Sequence, residues 1–368
     1  MNLPPLLERY AGLSAESKRV VAMIALVGGM PGGKTRLVEY LRAARVKSSS
    51  GAFFSGSSIL DLLSELHESA ILIPTDSGES IVARAVASQA IGALAASGEL
   101  DEFCNAIESI DPPISYSGSI RLRNYQQGLI RLRLTLLRGR EPVEVNNRLA
   151  LCAEFYEFKK LHPFIEFFGR PFDAELFAFL HPAVKEIVMA ILLADSRDRF
   201  EDAPPLREWL ERTAVDVATC NPALLLAQAE DWLLCGRLDR VAAAMASRHD
   251  GVACAWRNAA LLVGGDVGAA VGGFEAALKL LRQESGKRNS IFDGLCGYLY
   301  VLAMLLGDDD KTKRKAETYL QLALREPRLP ANPFCRLDFF LQASAGIRQA
   351  SELKTQGQAT TPLAQLFS

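Results

Sequence analysis

"GGMPGGKTRL", residues 28–37, can be read in two ways, and the choice decides the fold of everything up to residue 98. Gly28, four further residues, and then Gly33-Lys34-Thr35 spell a phosphate loop. On that reading the preceding run "VVAMIALV" is a buried strand and backbone N–H groups wrap a phosphate. Lys34 neutralises the phosphate, and Thr35 holds magnesium at the head of the next helix. Such a loop belongs to a parallel sheet, which needs more apolar strands alternating with helices, one of them ending in an acid that orients the metal. The surrounding chain does not offer them. The best candidate, "AILIPTD", is broken by Pro74 and puts Thr75 before Asp76, and from Ile81 onward the pattern is helical.

The second reading accounts for each segment. Ser14 is a good N-cap for "AESKRVVAMIALVG", in which Val20, Ile24 and Val27 recur at helical spacing. "GMPGG" breaks the chain, and "KTRLVEYLRAARV" places Leu37, Val38, Leu41 and Ala44 on one face of a second helix. After the loop "KSSSGAFFSGSS", a third helix, "ILDLLSELHESA", is capped by Ser57 or Ser58. "AILIP", "TDSGES" and "IVAR" then make a short hairpin around Gly78. Three helices closed by a hairpin predict a winged helix-turn-helix domain over residues 1–98, with the helix "AVASQAIGALAAS" leading out of it.

In a helix-turn-helix reader the third helix enters the major groove, and affinity comes largely from Lys and Arg on phosphates. Here that helix carries Asp61, Glu65 and Glu68 and no lysine or arginine, which argues for weak backbone contact or protein docking over sequence reading. The available cations lie around it: Lys34, Arg36, Arg42, Arg45, Lys47 and Arg84. A second excess is "RLRNYQQGLIRLRLTLLRGR", residues 121–140, with six arginines and no acid. It is either a solvated face of an amphipathic helix or a contact face for phosphate or an acidic partner. The expected nucleic-acid contacts are therefore Lys34, Arg36, Arg42, Arg84, Arg131, Arg133 and Arg138.

The rest of the composition narrows the classes. The chain has 368 residues, 49% of them apolar and 23% charged, with net charge −2, so any pull toward a polyanion is local. Its longest apolar runs, Val20–Val27 and Gly294–Gly307, fall short of the ~20 residues of a membrane span. Pro4, Pro5 and Glu8 stand where a signal peptide would be apolar, and a cytoplasmic location is expected. The seven cysteines are scattered, and the four histidines give no ligand set; Ile71 stands where a second histidine would have to follow His67-Glu68. No metal, cofactor or catalytic residue is expected, since no paired carboxylates, serine elbow or Cys/His couple appear at motif spacing.

From residue 99 to 342 the pattern is helical, broken at "DPPISYSG", "HPFIEFFGRPFD", "DAPP", "CNP", "GDDDKTK" and "PRLPANP". "GDVGAAVGGFEAALKLL" from Gly265 sets a turn glycine, small Ala270 and Ala277, and Phe274 at the offsets of a tetratricopeptide repeat. Fainter echoes have Gly236, Val241 and Met245 on one side and Ala316, Leu320, Ala323 and Leu324 on the other. The fold class expected is mostly α, a winged helix followed by a tetratricopeptide-like α-solenoid, with a plain helical bundle as the alternative. Residues 343–368 read as a linker ending in apolar "PLAQLFS", leading to a further domain or docking back onto the solenoid.

Taken with "SILDLLSELHESAIL", "GGFEAALKLLRQESGKRNSIFDGLCGYLYVLAMLLGDDDKTKRKAETYL" and "TTPLAQLFS", the opening helices resemble the N-terminal region ahead of the motor in some bacterial Swi/Snf-type helicases. The resemblance implies a non-catalytic accessory module of a DNA-translocating ATPase. Its implied partners are DNA through backbone contacts, a protein in the groove of the helical repeats, and a covalently continuous helicase motor. No segment matches the motor's own motifs, so it carries over no catalytic residue. Two alternatives stay open: a phosphate-loop NTPase using Gly28–Thr35, and a pure protein scaffold.

Overall fold

The structure, a computed structural model, describes residues 5–30, 33–75, 79–116, 119–169, 172–198, 204–213, 220–292, 294–307 and 310–325. It is mostly helical, and its described strands pair only as two antiparallel hairpins. The chain divides into two compact units, Met1–Leu224 and Leu225–Ser368. The expected boundary after residue 98 falls inside the first unit, and the expected linker, residues 343–368, lies outside the described residues.

The first unit opens with a short helix that the sequence reading omits, α1 (Leu6–Ala11). Helix α2 (Ala15–Val27) begins where Ser14 accepts a hydrogen bond from the Ser17 N–H at 3.1 Å. Every residue from Val20 to Val27 is at most 3% exposed, so α2 is buried around its whole circumference. This explains why the run also passes for a buried strand: periodicity is lost when every face is apolar. The helix stops at Gly28, whose φ of +82° is the left-handed conformation that glycine reaches without strain. The Gly28 N–H bonds the Ala25 carbonyl and the Gly29 N–H returns to Ile24, the Schellman pattern of a helix end. Helix α3 (Gly33–Ala43) then resumes, and the Gly33 N–H bonds the Met30 carbonyl. The stretch that spells a phosphate loop thus joins helix to helix.

Helix α4 (Ser58–Glu68) follows, and its cap differs from expectation: the Ser58 N–H donates to Ser55 Oγ, while the Ser57 side chain caps nothing. Strands β1 (Leu72–Pro74) and β2 (Ser80–Val82) pair with Leu72 opposite Val82 and Pro74 opposite Ser80. The hairpin is as expected, while Gly78 lies outside the described residues. Helices α5 (Arg84–Ala96) and α6 (Leu100–Ile110) come next, α5 packing on α2 and α6 on α3. The break expected at residues 111–118 belongs to a second hairpin, β3 (Ile114–Tyr116) with β4 (Ser119–Arg121). Three residues make each strand, too few for alternation to show in the sequence.

Helix α7 (Tyr125–Leu137) packs on α2 and on α8 (Pro142–Ala153). The short helices α9 (Glu157–Lys160), α10 (Pro163–Phe168) and α11 (Ala174–Ala178) precede α12 (Pro182–Asp198) and α13 (Pro204–Thr213). The division between the units falls within α14 (Pro222–Leu234).

The second unit continues as α15 (Leu238–Met245), α16 (Gly251–Val263), α17 (Val267–Ser285), α18 (Gly294–Leu306) and α19 (Asp310–Arg325). Helix α16 packs on α15, α17 and α18, and α18 packs on α17 and α19. Ala270, Phe274, Ala277 and Leu278 are all buried, as are Val241 and Met245 in α15 and Ala316, Leu320 and Ala323 in α19. These are the positions the repeat pattern singles out for close packing. Asp250 caps α16 by accepting from the Ala253 N–H, and a Cβ added at Gly251 would sit 2.5 Å from the Leu281 nitrogen, so only glycine lets α16 and α17 meet there.

Candidate functional site

Of the seven residues expected to contact nucleic acid, Lys34 and Arg42 are exposed on α3. The other five are engaged inside the first unit. Helix α6 presents Asp101, Asn105 and Glu108 on one face, at spacings of four and three residues, and Arg131 of α7 and Arg138 at its C-cap reach toward them. Arg138 reaches Glu108 at 3.0 Å, Asp101 at 3.2 Å and Asn105 at 2.7 Å. Arg131 donates to the Asp111 carbonyl at 3.1 Å and lies 3.7 Å from Glu108. Its side chain is 11% exposed and that of Arg138 9%. Their charge is spent on carboxylates of this chain.

The Asp111 carboxylate gathers residues from α3 and from the segment between β4 and α7. Arg36 pairs with Oδ1 at 2.7 Å while its other nitrogen holds Glu39, the Tyr40 hydroxyl donates to Oδ2 at 3.2 Å, and Arg123 stands 3.7 Å away. Burial, with the Asp111 charge second, pushes the Tyr40 hydroxyl up to about 12, so it acts as a donor at neutral pH. Together these groups border a polar cavity of about 370 Å³ that also touches Glu79 and Gln127. Two cations and two carboxylates line it, leaving no net charge to attract an ionic ligand.

Arg84 and Arg133 are fixed elsewhere in the unit. Arg84 pairs with buried Asp173 at 3.4 Å and donates to the Phe167 carbonyl, and Ser88 donates to the same carboxylate at 2.6 Å. The Arg133 guanidinium lies 5.5 Å from the centre of the Phe167 ring, and burial draws its pKa down to about 10. A Cβ at Gly28 would stand 3.3 Å from its Nη1, so the glycine that ends α2 also makes room for this arginine.

The second unit holds a different arrangement, one that reading the sequence missed. Between α17 and α19 runs a groove of about 930 Å³. Its rim carries Lys279, Arg282, Arg288, Lys311, Arg314 and Lys315, against the single carboxylate of Glu275. Lys311, Arg314, Lys315, Thr318 and Leu322 line the α19 side at helical spacing; Glu275, Leu278, Lys279 and Arg282 do the same on α17. Lys315 pairs with Glu275 across the groove, and Arg282 donates to the Ser290 carbonyl. Among the described residues, no hydrogen bond or ion pair engages the side chains of Lys279, Arg288, Lys311 or Arg314. The floor is apolar: Leu278, Leu322 and the rings of Tyr300 and Tyr319, whose centres lie 4.3 Å apart with the planes tilted by 32°. The signal in the sequence is "KTKRK", residues 311–315, a dense basic run.

Burial pushes the Cys104 and Cys152 thiols up to about 11, away from the reactive thiolate, and the Cys296 thiol is raised by burial too. No group of His, Cys, Asp and Glu among the described residues could hold a metal ion, and no described helix is long and apolar enough to cross a membrane. Set against protein families, curated proteins and solved structures, the chain matches none.

Proposed function

We propose that this chain is a non-catalytic binding module that captures a negatively charged partner, and that it serves a DNA-translocating ATPase of the Swi/Snf type. On this reading α2–α4 and the first hairpin are a winged helix, and α14–α19 a tetratricopeptide-like array. The observation that carries the reading is the groove between α17 and α19, where the side chains of four cations have no partner among the described residues. Lys34 and Arg42 remain as exposed cations for DNA backbone contact, and the four paired arginines, with Arg133 against Phe167, are assigned to holding the first unit together. Nucleotide chemistry at Gly28–Thr35 is disfavoured because the amides of Gly28, Gly29 and Gly33 already bond backbone carbonyls. A phosphate loop needs those donors turned to the phosphate.

The test is retention on immobilised heparin, with fluorescence anisotropy on labelled duplex DNA, each at rising salt. Binding that weakens with salt, and weakens further in Lys311→Glu/Arg314→Glu, is expected. No retention of the folded chain at the lowest ionic strength would refute the reading.

A further inference from the structure

Resting on that reading, we infer that the occupant of the α17–α19 groove is an acidic, amphipathic segment of a protein partner. Its apolar side chains sit on the groove floor and its carboxylates meet the rim. Charge sets the sign of the ligand: six basic residues surround one carboxylate. The floor sets its kind. Tyr300 and Tyr319 are each 2% exposed, so neither ring offers a face on which a base could stack, and the stacking that strengthens single-strand binding has no platform here. The Tyr319 hydroxyl is committed as well, accepting from the Phe292 N–H at 2.6 Å and donating to the Phe292 carbonyl at 3.1 Å.

What remains for a ligand is Leu322, the edge of Leu278 and the alkyl stems of the rim lysines, whose ammonium tips stay in water. A phosphodiester backbone has nothing apolar to lay on such a floor and would keep it wet. A peptide with leucines at i, i+3, i+4 and i+7 covers it while its flanking carboxylates reach guanidinium and ammonium groups. The chain already contains one such contact, since the Glu275 carboxylate takes Lys315 across the groove. Removing that internal competitor should therefore strengthen binding, an effect that a purely structural role for Glu275 would not produce.

The experiment is a fluorescence-anisotropy titration of the full chain. Its probes are a synthetic glutamate-rich peptide with that leucine spacing, a peptide of the same composition with the leucines scattered, and an oligothymidylate of the same net charge. The patterned peptide should bind about 10-fold more tightly than either control. Lys311→Glu/Arg314→Glu should weaken it by about 10-fold or more, and Glu275→Gln should tighten it about 3-fold. Leu322→Ser should weaken the patterned peptide and leave heparin retention unchanged. Circular dichroism melting confirms that each variant is folded. If the scattered peptide or the oligothymidylate binds as well as the patterned one while heparin is still retained, the groove reads charge alone and this inference fails although the binding reading stands. If no polyanion of any class binds, both fall.

Discussion

Helices α7 and α19 are both rich in cations, yet they use them oppositely. In α7 and at its C-cap the arginines turn inward: Arg131 and Arg138 meet Glu108, Asp101 and the Asp111 carbonyl, and Arg133 lies over Phe167. In α19, Lys311 and Arg314 line an open groove and pair with nothing described. A run of basic residues without an acid among them therefore says little about function. What matters is whether another segment brings carboxylates to it. Helix α6 does so for α7, while α17 brings Lys279 and Arg282 against α19 and only Glu275 to offset them. Partly buried charges are costly to leave unpaired, whereas exposed like charges held near one another cost a little stability and are available to a partner.

Substitutions can break this contrast from either side. The largest effect is expected for Arg138→Met, which leaves Glu108 half-buried without its closest cation: about 2–3 kcal/mol lost in urea unfolding. Arg314→Met, in the exposed groove, should stay within about 0.5 kcal/mol of the parent. Lys311→Glu/Arg314→Glu should cost about 1.4 kcal/mol of heparin or peptide affinity, and Lys34→Met/Arg42→Met much less, in the same anisotropy assay. Gly28→Ala forces a left-handed residue and crowds Arg133, at about 1 kcal/mol of stability. Lys34→Ala should change neither the melting temperature nor its indifference to magnesium-ATP, whereas a phosphate loop would show ATP stabilisation that this substitution removes.

A smaller, pH-linked effect separates the first unit further. Burial lowers His162 from 6.5 to about 4. Its neutral Nδ1 accepts the Phe164 N–H, and its ring lies between Phe158 and Phe164. Between those pH values the unfolded chain binds a proton that the folded chain does not. Stability is thus complete above pH 6.5 and falls as the pH drops toward 4. Denaturation midpoints measured across that range should flatten in His162→Asn, which keeps a capping acceptor and cannot titrate.

Much of the helical layout was legible because its signals are local. Ser14 caps α2, Gly28 ends it, and Ala270, Phe274 and Ala277 mark the packed face of α17. Besides short helices such as α1 and α10, three features escaped, each because it depends on residues far apart in sequence or on too few of them. The short strands of the second hairpin give no alternation to detect. The inward turn of Arg131 and Arg138 depends on acids from a different helix. The groove exists only when "KLLRQESGKR" and "KTKRK" are folded side by side, and neither stretch alone announces an apolar floor.

The central claim is that the arginines of α7 are internal while those of the α17–α19 groove are available, and arginine-selective dicarbonyl labelling read by peptide mass spectrometry tests it on the unaltered chain. The account predicts rapid labelling of Arg288 and Arg314, protection of both by heparin, and labelling of Arg131 and Arg138 only when the first unit unfolds. Exposed Arg140, just beyond the end of α7, serves as the reactive control. Labelling of Arg131 and Arg138 in the folded chain as fast as Arg314, with heparin protecting them instead, would contradict it.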